Sequence, residues 1–339
     1  MIDKIIITNL PAFYKINLYN AIAQYEKLFV VFANSSSPDR NADFYSKEIN
    51  FDYVTVDKGS KLGNVTKILL KVIRRGYREL ILSGWDSPLM WLCAFFGVKG
   101  RNSLVIESSI FESITHGIKG SIKRIYLKRF SKAYVPGASH IRLIRNLGYS
   151  GTVIKTRGVG VFNIRKQPDF VSRSVVKKFL YVGRLSPEKN LTLLIETFGR
   201  LPSLSLSIVG FGPDEEKLRK AAKGNIKFFG AIPNRELYRV YQDHDVFILP
   251  SKSEPWGLVV EEALNNGLPV IVSNKVGCAE EIVIDGKNGF VFDLDKPDSL
   301  QETIEKVLDT GIYNSMRYYI SKIDYIKIAD DQVNAYLTK

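Results

Sequence analysis

The sequence predicts an α/β chain of two doubly wound domains, each a mostly parallel sheet with helices on both faces. Three observations carry that prediction. From Lys4 to Val135 short apolar runs alternate with amphipathic stretches, which is the punctuation of βαβ units. The same pattern begins again at Phe179 and continues to Phe292. Between the two copies lies a polar stretch, Asn163–Val171, that belongs to neither. The expected organisation is an N-terminal domain over 1–165, a C-terminal domain over 166–320, and a closing helix over 321–339 that packs back on the first domain. Ligands of such sheets sit beyond the carboxyl ends of the strands, so the two domains are expected to face each other across a cleft.

Taken in order, Ile5-Ile6-Ile7 reads as the first strand and Tyr14–Tyr25 as a helix. Leu28–Phe32 and Tyr53–Val56 are the next strands. Val65–Arg75 follows as a helix with Ile68, Leu69, Val72 and Ile73 on one face. Leu80–Leu82, Leu104–Ile106 and Ala133–Val135 continue the alternation. In the second copy the strands are Phe179–Val182, Leu204–Val209, Ile226–Phe229, Val246–Leu249, Val270–Val272 and Phe290–Phe292.

The 339 residues are 45% apolar and 24% charged, as in a soluble globular protein with a substantial core. No apolar run is long enough to span a bilayer; the stretch around Leu89–Val98 is short and interrupted. Met1-Ile2-Asp3-Lys4 runs straight into a strand pattern, without the apolar segment of a secretory signal. Cys93 and Cys278 lack metal-ligand spacing and read as reduced thiols of a cytosolic protein. Charge is uneven. Residues 1–168 carry 26 Lys and Arg against 11 Asp and Glu, whereas residues 169–339 carry 22 against 24. The excess behind the net +13 therefore sits in the first half, where nucleic acid, an anionic membrane or an anionic substrate would account for it.

Chemistry concentrates in the second half. After the buried strand Val246–Leu249 comes a turn holding Glu254, then a helix from Gly257 that carries Glu262. The two carboxylates are placed to meet one ligand at different depths. Between them the first amides of the helix, at Gly257 and Leu258, favour an anion. A ligand with hydroxyls at both ends and a diphosphate between them, such as a sugar nucleotide, suits that arrangement. Upstream, Ser186 reads as an N-cap and Pro187 as the first helical residue, so Arg184 and Lys189 bracket a helix N-terminus fit to hold a diphosphate. Gly210-Phe211-Gly212 is a strand-to-turn glycine pair that lets backbone approach a ligand closely. In Gly230-Ala231-Ile232-Pro233-Asn234, main-chain groups around Ile232 can read a base edge. The D-x-D spacings Asp243/Asp245 and Asp293/Asp295 lie at a helix-to-strand junction and after the last strand, and read as structural.

Gly183-Arg184 with Lys189-Asn190, then Glu254-Pro255-Trp256-Gly257-Leu258 with Glu262, then Gly267-Leu268-Pro269-Val270-Ile271, resemble the retaining glycosyltransferases of family GT4. The resemblance is dense over residues 178–295 and implies the GT-B fold, with two Rossmann-like domains. It implies that Arg184 and Lys189 bind the donor diphosphate, Glu262 the nucleotide ribose and Glu254 the hydroxyls of the transferred sugar. Trp256 stands in the same donor motif, and Gly257 and Leu258 would offer amides to phosphate or sugar. The leaving group is a nucleoside diphosphate, with UDP the expected nucleotide, and charge on it needs no metal and no cofactor. The first half matches only in outline: the turn after its first strand is Thr8-Asn9-Leu10-Pro11-Ala12-Phe13-Tyr14-Lys15, not glycine-rich.

In that half Glu107, at a strand end, and His116, in a polar loop, are candidates to orient or deprotonate an acceptor hydroxyl. Tyr14 and Lys15 are candidates to contact acceptor phosphate. Ile118, Ile122, Ile125 and Tyr126 form one stripe, expected to face the core, while Lys119, Lys123, Arg124, Lys128, Arg129 and Lys132 cover the remainder. With Lys67, Lys71, Arg74, Arg75 and Arg78 they give a positive surface suited to anionic lipid. The expectation is a cytoplasmic enzyme, peripheral on the inner face of the plasma membrane. It would act on a polyprenyl-diphosphate-linked or other glycan acceptor in surface-polysaccharide assembly. A sugar-nucleotide epimerase or hydrolase is the enzymatic rival. A nucleic-acid-binding protein would explain the charge, but the sequence carries no RNP, KH, zinc-ligand or helix-turn-helix signature.

Overall fold

A computed structural model of the chain describes residues 2–37, 42–45, 48–56 and 76–338. The helix expected over Val65–Arg75, with Lys67, Lys71, Arg74 and Arg75, lies outside the described residues. The chain divides into two compact units, one formed by Met1–Phe162 together with Ile326–Lys339, the other by Asn163–Tyr325.

Among the described residues the first unit is built on seven parallel strands: β1 (Ile2–Thr8), β2 (Leu28–Phe32), β3 (Asp52–Thr55), β4 (Tyr77–Ser83), β5 (Asn102–Val105), β6 (Lys132–Val135) and β7 (Thr152–Lys155). Their order is β3-β2-β1-β4-β5-β6-β7, so the winding reverses between β1 and β4. Ile5, Ile6 and Ile7 are all fully buried, because a strand covered on both faces must be apolar at every position. Alternate side chains enter two cores. Ile5, Ile7, Leu80 and Leu82 meet Met90 of α2 (Pro88–Phe96), Tyr126 of α3 (Gly117–Leu127) and Leu143 of α4 (Ala138–Asn146). On the other face Ile6, Val30, Ile81 and Tyr134 meet Ile16 and Tyr19 of α1 (Phe13–Ala23), with Val333 and Tyr336 of the chain's last helix, Tyr325–Tyr336. Tyr134 and Tyr336 stack with ring centroids 4.5 Å apart.

A charged cluster is buried beside that helix. Lys4 Nζ lies 2.7 Å from Glu26 and 3.1 Å from Glu79, and donates to Thr338 Oγ1 at 2.9 Å. Glu79 also accepts from Ser103, Tyr134 and Lys132. Burial works against its charge, but the Ser103 hydroxyl and the two lysines outweigh it and hold the carboxyl below its ordinary range.

The stripe expected to face the core on α3 does not. Tyr126 and Leu127 turn inward with Gly120, while Ile118, Ile122 and Ile125 are 81%, 45% and 54% exposed. Two contacts fix the rotation. Tyr126 donates to the Gly84 carbonyl at 3.0 Å and packs 4.4 Å from Trp91. Gly120 sits so close to the preceding loop that a Cβ there would collide with the Thr115 carbonyl.

The second unit is built on six parallel strands: β8 (Lys178–Val182), β9 (Ser205–Val209), β10 (Ile226–Gly230), β11 (Val246–Leu249), β12 (Val270–Ser273) and β13 (Gly289–Phe292), in the order β10-β9-β8-β11-β12-β13. Helices α5 (Leu191–Gly199), α6 (Glu215–Ala221), α7 (Asn234–Gln242) and α8 (Leu258–Asn265) connect the first five strands. The polar stretch after Asn163 is fastened to this unit by two asparagines. Asn265 exchanges both its amide bonds with the backbone of Arg165 (3.0 and 3.1 Å), and Asn314 does the same with Arg173 (2.8 and 2.9 Å). The aspartates of both D-x-D spacings have protein partners. Asp245 accepts from the Lys177 and Lys178 amides, Asp243 pairs with Lys178, Asp293 accepts from Asn274, and Asp295 pairs with Lys275.

Candidate functional site

In the second unit the candidate residues gather where β8, β9 and β11 end. The turn after β8 begins at Gly183, and its shape is set by its neighbours. Leu185 N–H donates to the Phe211 carbonyl, Asp214 N–H donates to that of Leu185, and buried Tyr181 donates to the Arg184 carbonyl at 2.7 Å. The helix expected to start at Pro187 begins later. Pro187–Lys189 is a single 3-10 turn, Asn190 takes a left-handed conformation, and α5 starts at Leu191. Ser186 caps no amide; its hydroxyl donates to Glu188 at 2.6 Å instead. The short turn therefore supplies side chains more than a helix terminus.

Those side chains form two adjacent ion pairs. Arg184 lies 3.0 Å from Glu188, and Lys189 is paired with Glu254, both of the latter being largely buried. The two turns are also tied by their backbones, since Lys252 N–H donates to the Glu188 carbonyl at 2.8 Å. Burial disfavours the Glu188 carboxylate, but the Ser186 hydroxyl and the adjacent cations outweigh it and hold its pKa below the ordinary range. Glu188 is a member of the site that the sequence reading passed over. Its signal was present, four residues from Arg184 and one from Lys189.

The Glu254 turn rests on the turn after β12. Glu254 N–H donates to Lys275, Gly277 N–H to Glu254 and Cys278 N–H to Trp256. A Cβ at Gly277 would strike the Pro255 carbonyl. Gly257 has φ +97°, a left-handed conformation that suits glycine, and it leads directly into α8, whose first turn no side chain caps. Trp256, expected at the donor, is 2% exposed and gives its indole N–H to Glu261 at 2.8 Å. Its side chain braces the turn from inside, so only its backbone is available there. Glu261 is not part of a solvated charged face: it is buried, and burial pushes its carboxyl up to about 8 against the pull of the Trp256 N–H. Burial also raises Glu262 to about 7, although Tyr241 donates to it at 3.3 Å. Glu262 thus lies on the same helix but bonds α7 rather than the paired turns.

Gly210 and Gly212 let neighbouring turns pack closely. At Gly210, φ +134°, a Cβ would run into the Gly183 carbonyl; at Gly212 it would meet Leu185. The glycines let the β9 turn lie against the β8 turn and so shape the Arg184 loop. Gly210 N–H also donates to Gly230 at 2.8 Å, which brings the turn with half-buried Ile232 alongside.

The first unit holds a second group, at the carboxyl ends of β1 and β5. Lys15 Nζ lies 2.7 Å from Glu107 Oε1 and 3.2 Å from Thr8 Oγ1. Burial works against the Lys15 ammonium, but the Glu107 carboxylate outweighs it and raises the pKa above the usual lysine value. The Glu107 side chain remains 31% exposed. Its carbonyl meets His140 Nε2 at 3.1 Å, and the ring's Nδ1 meets Ser139 Oγ at 3.1 Å. His140, buried at the start of α4, fixes the Glu107 backbone and was not singled out in the sequence, where nothing near it signalled a site. His116 is exposed at the N-terminus of α3 and makes no cap. Tyr14 is half-buried, and its carbonyl accepts from Val161 at 2.9 Å.

Among the described residues no three His, Cys, Asp or Glu side chains are gathered as for a metal. Both cysteines are free and buried.

The family match falls within the second unit. Residues 164–323 match the family model described as glycosyl transferases group 1. The chain is 37% identical over 131 residues to the sulfoquinovosyl transferase SQD2 of Arabidopsis thaliana, a match covering 38% of this chain and 25% of that protein. The chain thus spans about a quarter of that relative's length. Among solved structures, the lipopolysaccharide outer core galactosyltransferase WaaB superposes with a TM-score of 0.69 at 15% identity, covering 99% of this chain and 100% of that one. Anabaena Alr3699/HepE, solved in complex with UDP and glucose, gives 0.70 at 17% identity, with 97% of each chain covered. The fold is GT-B, with two Rossmann-like domains.

Proposed function

We propose that the chain, whose residues 164–323 match the glycosyl transferases group 1 family model, moves a sugar from a nucleotide-sugar donor to a glycan acceptor. The observation that carries the reading is the pair of neighbouring ion pairs, Arg184–Glu188 and Lys189–Glu254, on two turns bonded to each other. Two cations at one strand end suit a diphosphate. The carboxylates that hold them are then left to accept hydrogen bonds from hydroxyls. UDP is the proposed nucleotide, in keeping with the UDP complex of the HepE neighbour.

Donor binding exchanges partners at this site. Lys189 turns from Glu254 to the diphosphate, and Glu254 takes hydroxyls of the transferred sugar. Glu262, on the first turns of α8, takes the ribose, and the amides at Gly257 and Leu258 meet phosphate or sugar. As the bond from anomeric carbon to diphosphate oxygen breaks, negative charge grows on the leaving group, where Arg184 and Lys189 stabilise it more than in the ground state. The acceptor hydroxyl attacks the face being vacated, and its proton passes to the departing phosphate oxygen. Configuration is retained, and the cations perform the role a metal has elsewhere. Glu107, held at one oxygen by Lys15, offers the other to orient the acceptor hydroxyl; Lys15 supports acceptor phosphate with the adjoining Tyr14, and His116 is a further acceptor contact. The acceptor proposed is lipid-linked, in surface-polysaccharide assembly at the cytoplasmic face of an anionic membrane, which the basic first half supports.

The test is thermal stabilisation by a panel of nucleotide sugars, with transfer then assayed on the best donor. A UDP-sugar should raise the Tm of the wild type, since binding to the folded state alone stabilises it. Arg184→Ala and Lys189→Ala should each weaken that donor by about 10–100-fold, the scale of losing a charge-assisted contact to phosphate. Transfer should persist in a chelator. Donor binding unchanged in both variants, or hydrolysis that no acceptor diverts, would remove the reading.

A further inference from the structure

Helix α3 carries an apolar face that points away from its own core. At about 100° per residue, Ile118, Ile122 and Ile125 fall within roughly 60° of one another. Leu127 and Gly120, which pack inward, lie on the other side of the helix, and Tyr126, about 40° beyond Ile122, turns inward from the edge of the stripe. The rotation is pinned by the Tyr126–Gly84 bond and the close approach of Gly120 to Thr115. Lys123 Nζ and Arg124 Nη2 add bonds to the carbonyls of Ile114 and Thr115, at 3.2 and 3.0 Å. The helix cannot turn its isoleucines inward without breaking all of these. Beside it the apolar surface continues. Arg129 donates to the Ala94 and Phe95 carbonyls, with its guanidinium 5.3 Å from the Phe95 ring, and Phe96 next in sequence is 67% exposed.

The face is rimmed by positive charge. Lys119 and Lys128 are exposed on either side of the isoleucines, and the helix itself contains no acidic residue. The acidic groups near Lys123 are Asp86 and Glu112, on the loops beside the helix. An outward apolar stripe with flanking lysines fits an anionic lipid surface: headgroups meet the cations, and acyl chains meet the isoleucines. A protein partner of matching acidity would need an apolar ridge of its own, whereas a bilayer offers both layers at once.

We infer that α3 is a membrane-insertion helix, lying in the plane of an anionic bilayer with Ile118, Ile122 and Ile125 sunk among the acyl chains and Phe96 entering beside them. This rests on the membrane reading above and adds to it that adhesion is apolar as well as electrostatic.

The test uses the full chain with phosphatidylglycerol–phosphatidylcholine vesicles. The wild type should remain bound at about 1 M salt, where charge attraction is screened beyond about 3 Å. Ile118→Ser with Ile122→Ser and Ile125→Ser should lower the partition coefficient at least about tenfold at that salt, with an unchanged melting curve because the three side chains are exposed. Ile122→Trp gives a readout independent of any loss of binding: its emission should shift to the blue and be quenched by brominated acyl chains. A wild type that binds at low salt, but is released by high salt with no quenching at residue 122, overturns insertion and leaves electrostatic membrane association standing. A wild type that binds no vesicle at any salt overturns both. Self-association abolished by the triple serine variant, without vesicle binding, also overturns insertion, because the face then belongs to a second copy.

Discussion

Two neighbouring glutamates on one helix turn carry a pH dependence of unusual sign. Glu261 and Glu262 keep their protons up to about 8 and about 7, against 4.5 for an ordinary glutamate. Between those values the folded chain binds more protons than the unfolded one, so raising the pH favours unfolding. The stability tied to the protonated carboxyls is complete below pH 4.5 and is lost as pH climbs through 7 and 8. Glu261→Gln keeps an acceptor for the Trp256 N–H without the charge. It should flatten the fall of Tm from about pH 6 to about pH 9 and leave the variant some 1–3 kcal/mol more stable than the wild type at the alkaline end. Melting curves across that range decide it; parallel slopes would show that Glu261 ionises freely. The sequence named Glu262 and Glu254 from their spacing taken together with Arg184, Lys189 and the family resemblance. It could not reveal that Trp256 points inward, since an aromatic in a turn reads the same whether it braces the loop or meets a ligand.

At the level of elements, what shapes the second unit's constellation is turn packing on turn. The β9 turn lies on the β8 turn through Gly210, and the β12 turn lies on the β11 turn through Gly277, each where a Cβ would meet a carbonyl. Gly210→Ala and Gly277→Ala should therefore each cost about 1–3 kcal/mol by overpacking. Urea denaturation with an unchanged m-value measures it. Alanine tolerated at both positions would mean that the turns yield. The strands were legible because a parallel strand covered on both faces is a continuous apolar run, as Ile5–Ile7 and Val246–Leu249 are. Strand β7, edge-placed and only partly buried at Thr152–Lys155, carried no such run and escaped notice. Helix α3 misled for a different reason. Periodicity identifies a stripe but not the side on which the rest of the protein lies, and here Tyr126 and a close-packed glycine decided the side.

Across the whole molecule, the first unit is assembled from two distant pieces of chain. Val333 and Tyr336 complete the core around Ile6, Ile16 and Tyr134, and Thr338 shares the buried Lys4 cluster. Replacing Lys4 by Met leaves Glu26 without its cation and Glu79 with Lys132 alone, and should cost about 3–5 kcal/mol, far more than removal of a surface pair. Tyr336→Ala should cost a similar 3–5 kcal/mol through lost burial and the cavity it leaves. Both losses should appear in the transition assigned to the first unit, read by calorimetry, and leave the other transition in place. The discontinuity also bears on synthesis. A nascent chain can close the core of Asn163–Tyr325 as soon as that segment has left the ribosome, whereas the earlier-made sheet waits for Tyr325–Tyr336. The half translated first is thus the half that matures last, and during that wait its unfinished hydrophobic face is the one exposed to chaperones.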